Sequence, residues 1–86
     1  MKIVWDEPKR LANLDKHGLD FADLGETFFD NALVLPSHNK AKRWVAVGVN
    51  IRGVIVVVFA QLGREGVSII SMRHASRNER KLYEER

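Results

Sequence analysis

The stretch from Ser71 to Arg80 gathers the side chains of this chain best suited to chemistry: Ser71, Arg73, His74, Ser76, Arg77 and Arg80. A guanidinium presents a planar fork of N–H groups that matches a phosphate, and the free N–H groups at a helix start attract anions as well. Ser76 and Glu79 have the spacing of a capping box, in which serine and glutamate each satisfy the other's backbone N–H. A helix is therefore expected from Arg77 to about Glu85, following directly on a strand. A strand-to-helix junction of this kind can hold a phosphate and stabilise charge developing on its oxygens. Arg73 admits a second reading, an ion pair with a carboxylate such as Glu79, with Arg77 and Arg80 facing water.

Histidine is the usual proton carrier near neutral pH, and the chain has three, His17, His38 and His74. His74 adjoins the arginines. His17 falls in the last turn of an expected helix, where the helix dipole alone accounts for a cation. His38 sits in a polar loop. No two histidines are spaced i, i+4 and the chain has no cysteine, so no zinc motif and no disulfide is expected. A glycine-rich phosphate loop, a serine nucleophile elbow and a paired-carboxylate signature are likewise missing. Trp5, Trp44 and Tyr83 could stack on bases, but packing is the favoured reading of both tryptophans in so small a core.

The elements that must position these groups are readable in outline. Ile3-Val4-Trp5 predicts a short strand. Asp6 can cap a helix with Pro8 in its first turn, ending near His17 with Gly18 as its stop. Asp20 is expected to open a second helix, with Phe21, Leu24 and Phe28 on one face and Gly25 inside it at a close helix–sheet contact. Strands are expected at Ala32–Leu35, Arg43–Val49, Val54–Phe59 and Val67–Met72, joined by turns at Asn50–Gly53 and Gly63–Gly66. Links this short make the pairing antiparallel. The expectation is one α+β domain over residues 1–86: a small antiparallel sheet of about four to five strands, two N-terminal helices and one C-terminal helix.

Charge is unevenly placed. Residues 1–30 carry four bases and seven acids, a balance of −3, whereas residues 31–86 carry ten bases and four acids, a balance of +6. The stretch Pro36–Arg52 holds Lys40, Lys42, Arg43 and Arg52 and no acid. A basic surface of this kind suits RNA, DNA or an acidic protein. The start of the chain meets Asp6 before any apolar run of signal length, and Val54–Ala60 is far short of the ~20 residues that span a bilayer, so a soluble cytoplasmic protein is expected. Residue physics alone leaves two classes open, a nuclease and a non-catalytic module that binds nucleic acid or protein through its basic face.

Trp5-Asp6 with Lys9, Asn13 and Lys16-His17-Gly18 resembles the "WD…K…N…KHG" opening of the BrnT toxins, a family similar in fold to the RelE-like ribonucleases. Phe21 with Phe28-Phe29-Asp30, Arg43 with Gly48, and the strand ending at Phe59 fit the middle. Ile69-Ile70-Ser71 with Arg73, Ala75, Glu79-Arg80 and Tyr83 resembles the ending. His74 stands where the family often has a second basic residue beside Arg73, and Ser37-His38-Asn39-Lys40 stands where it often has an acid. The resemblance implies a metal-independent endoribonuclease toxin with no cofactor, neutralised by an antitoxin of the BrnA type that itself binds DNA. It also implies Arg73 and Arg77 as phosphate clamps and His74 or His17 as the proton carrier. Lys42, Arg43, Arg52 and Arg80 would then contact neighbouring phosphates. The guanidinium groups at 73–77 are expected to face an open, positively charged sheet surface.

Overall fold

A computed structural model of the chain describes residues 1–38 and 42–86. The element order is β1 (Lys2–Trp5), α1 (Glu7–His17), a 3-10 turn (Phe21–Asp23), α2 (Glu26–Asn31), β2 (Leu33–Pro36), β3 (Arg43–Asn50), β4 (Gly53–Leu62), β5 (Gly66–His74) and α3 (Arg77–Glu84). The strands form one sheet in the order β1-β5-β4-β3-β2.

The α+β class holds, but the sheet is mixed. The three hairpin-linked pairs are antiparallel as their short connections require. β1 instead lies parallel to β5, with Ile3 opposite Val67 and Trp5 opposite Ile69. The helices between β1 and β2 carry the chain across the whole sheet, so β1 is free to take the outer edge of β5 in either direction.

The second helix is also corrected. Asp20 does cap a turn, its carboxylate accepting from the Ala22 N–H, but that turn is only Phe21–Asp23. Gly25 is the N-cap of α2 rather than a residue inside a longer helix, and it has open space around it. The close helix–sheet contact falls at Gly48 on β3. A Cβ there would lie 2.9 Å from Phe28 Cε1 and 3.2 Å from Ala32 Cβ, so the missing side chain lets α2 lie directly on the sheet.

The expected apolar face does reach the core. Leu19, Phe21, Leu24, Phe28 and Phe29 pack on Ala46, Ile55, Val57, Phe59, Val67, Ile69 and Met72. Trp5 joins them in a T-shaped pair with Phe21, centroids 6.4 Å apart. On the other sheet face Val47 and Val56 are paired in register and buried, and α3 packs against β3 there. The next row on that face, Leu35–Val45–Val58–Ser71, is half-buried to exposed.

Candidate RNA-processing site

Arg73 ends the run of β5 that register places on the α3 face, directly opposite Val56. Ser76 N-caps α3, and both halves of its capping box form: Ser76 Oγ accepts from the Glu79 N–H, and Glu79 accepts from the Ser76 N–H at 2.8 Å. Glu79 is thereby fixed one turn into the helix, facing the strand end. Arg73 Nη1 and Nη2 each donate to one Glu79 oxygen at 2.7 Å, and Nη1 also donates to the His74 carbonyl. This ion pair is the second reading of Arg73 given above. Arg73 holds the Glu79 carboxyl down at about 2, and the carboxylate in turn raises the guanidinium.

The pair does not exhaust Arg73. A guanidinium has five N–H donors, and the three used here leave Nε–H and the outer Nη2–H, which point the same way as a second fork. The side chain is 45% exposed, and neither of these two N–H groups has a hydrogen-bond partner among the described residues. Arg10 offers a contrast. Its Nε and Nη2 donate to Glu7 and its Nη1 to both oxygens of Asp20, which leaves it structural.

Arg77 and Arg80 are exposed on α3, one turn apart, and Arg52 is exposed in the β3–β4 turn at the same end of the sheet. His74 is exposed at the end of β5, opposite Ile55. Lys42 and Arg43 lie at the other end, where β3 begins. Arg43 and Arg73 share a face but are about 16 Å apart, two strand spacings across and four residues along. Lys40 lies outside the described residues. The open sheet surface beside Arg73 is aliphatic along Leu35, Val45 and Val58, rather than positively charged as expected; its cations sit at its margins.

His17 is placed apart from the arginines. It is half-buried at the end of α1 and lines an open groove of about 320 Å³ with Lys9, Ala12, Asn13, Lys16, Ile70 and Ser71. Asn13, which the sequence marked only as part of the family pattern, builds this contact. Its side-chain oxygen accepts from the Met72 N–H at 3.0 Å and its Nδ2 donates to the Leu19 carbonyl at 3.2 Å. β1 pairing stops at Ile69, so the Met72 N–H would otherwise face an empty sheet edge. Among the described residues no three His, Asp or Glu side chains converge as a metal site would require, and no helix is long and apolar enough to cross a membrane.

Comparison with known proteins fixes the class. The family described as the ribonuclease toxin, BrnT, of type II toxin–antitoxin systems matches residues 5–79. The crystal structure of the Brucella abortus ribonuclease toxin BrnT aligns with 52% sequence identity and a TM-score of 0.81, covering 90% of this chain and 99% of that one. No curated protein matches the chain. Fold and sequence thus define a ribonuclease toxin, one half of a toxin–antitoxin pair whose target is RNA. The chain belongs to the BrnT family.

Proposed function

We propose that this toxin cuts RNA internally, without a metal ion, by driving a ribose 2′-hydroxyl onto the adjacent phosphorus. The O2′–P bond forms as the P–O5′ bond breaks. The 2′-hydroxyl proton leaves to a base and the departing O5′ receives one, with His17 or His74 as the carrier. Because the nucleophile is already on the substrate, the protein's task is to fix the chain and stabilise charge on the phosphate oxygens. Arg73 and Arg77 clamp the reacting phosphate, and Arg80, Arg52, Arg43 and Lys42 contact its neighbours along the strand. An antitoxin of the BrnA type neutralises the enzyme, and DNA is reached only through that partner. The toxin acts in the cytoplasm.

The observation that carries this reading is the second fork of Arg73. Glu79 takes one edge of the guanidinium and holds it still, while the other edge remains available beside the start of α3. A guanidinium braced in this way loses little freedom on binding a phosphate.

The test is the cleavage rate of single-stranded RNA in excess EDTA by the wild type, Arg73→Ala and Arg73→Lys. Lysine keeps the charge but has no fork, so both variants are expected to lose about 10²–10³-fold in kcat while melting as folded proteins. Wild-type rates in both folded variants would remove Arg73 from the site.

A further inference from the structure

We propose that the groove between α1 and the free edge of β5 is a phosphate subsite of the RNA track, with Lys9 and Lys16 holding the phosphate next to the one at Arg73. The inference rests on the reading above for its ligand, an RNA backbone, but stands on separate geometry. Lys9, Asn13 and Lys16 are spaced i, i+4, i+7 and share one face of α1. Asn13, at the centre of that face, is buried and bonded to the β5 backbone, so the lysines one turn to either side are held against the strand. Both line the groove, with His17 and Ser71.

The strand is shaped for this at the same point. The β1 ladder ends at Trp5–Ile69, and Ile70 is the extra residue of a bulge, because Val58 pairs with Ser71 and Phe59 with Ile69. A bulge bends its strand and re-aims side chains, and bulges gather beside active sites. Here the bulged residue and Ser71 form the floor of the groove.

Charge is unbalanced in favour of an anion. The lining holds two lysines and a histidine and no carboxylate, and neither lysine has an ion pair among the described residues. The helix dipole accounts for Lys16 and His17 at the end of α1. It opposes Lys9, which sits in the first turn where acids are favoured. An anionic ligand explains all three. Ser71 and Arg73 point to the same sheet face, about 7 Å apart along the strand, so a phosphate in the groove and one on the Arg73 fork are neighbours.

The experiment measures binding of a fluorescent single-stranded RNA, 2′-O-methylated so that it cannot be cut, over a range of salt. Each phosphate contact on a single strand adds about 0.7 to the slope of log Kd against log salt. Lys9→Gln and Lys16→Gln are each expected to lower that slope by about 0.7, and the double variant by about 1.4 with weaker affinity throughout. Arg64→Gln, in the β4–β5 turn, should leave it unchanged. A wild-type slope in the double variant overturns the subsite; if Arg73→Ala still loses slope, the Arg73 reading survives without it. Loss of slope in the lysine variants of a protein that cuts no RNA keeps the subsite and rejects the catalytic reading.

Discussion

Removing the Asn13 side chain should both destabilise the fold and break two identifiable hydrogen bonds. Asn13 is 8% exposed and ties three parts of the chain together: α1, the Leu19 carbonyl that follows it, and the Met72 N–H of β5. Asn13→Ala leaves a buried N–H and a carbonyl without partners, and each such loss costs about 1–3 kcal/mol. A total of about 2–4 kcal/mol is expected, since water reaches the carbonyl more easily than Met72, which is fully buried. In a domain of this size that lowers Tm by roughly 10–25 °C. Amide exchange separates this mechanism from general loosening. The Met72 N–H should lose protection in Asn13→Ala but keep it in Asn13→Asp, which retains an acceptor oxygen while losing the donor to Leu19. Unchanged Met72 protection in the alanine variant, or a Tm shift of under about 3 °C, would refute the reasoning.

Three further outcomes are expected. Glu79 has its carboxyl lowered to about 2 in the fold, chiefly by the Arg73 hydrogen bond, so its stabilisation is present above about pH 4.5 and lost as pH falls toward 2. Glu79→Gln keeps the capping-box hydrogen bond but not the charge, so acid melts should show wild type losing about 1 kcal/mol more than the variant between pH 5 and 2, a figure discounted because Arg73 is nearly half exposed. Gly48→Ala places a methyl group against the Phe28 ring and Ala32, and denaturant melts should report a loss of about 1–3 kcal/mol. His17→Gln and His74→Gln assign the proton carrier: the variant that removes it should lower kcat by about 10²-fold and the other far less, and wild-type kcat in both would take histidine out of the proposed step.

Elements whose ends are fixed by local side chains were legible from the amino-acid order. Asp6 and Gly18 cap α1 where expected, and the Ser76–Glu79 box starts α3 at Arg77. The hairpins followed from their turn residues. Two features depend on contacts between distant segments and leave no local trace. The parallel edge of β1 is set by which side of β5 is vacant, and the bulge at Ile70 appears only in the pairing of β4 with β5. Gly25 and Gly48 show the same limit, since either could admit a helix and only packing decides which one does. Of the site, the arginine cluster and its helix start were visible, and so was Glu79 as a partner for Arg73. The groove was not, because Lys9, Lys16 and Ser71 meet only when Asn13 crosses to a strand 59 residues away.

In the proposed mechanism, a guanidinium-braced site makes the RNA's own 2′-hydroxyl the nucleophile. The most direct measurement uses a short RNA with a mapped cut and compares it, in EDTA, with the same strand carrying one 2′-deoxyribose just 5′ of that cut. Cleavage of the all-ribose strand to a 2′,3′-cyclic phosphate and a 5′-hydroxyl, with no cleavage at the deoxy position, is the predicted result. Cutting at the deoxy position, or activity that EDTA abolishes and a divalent ion restores, would contradict it.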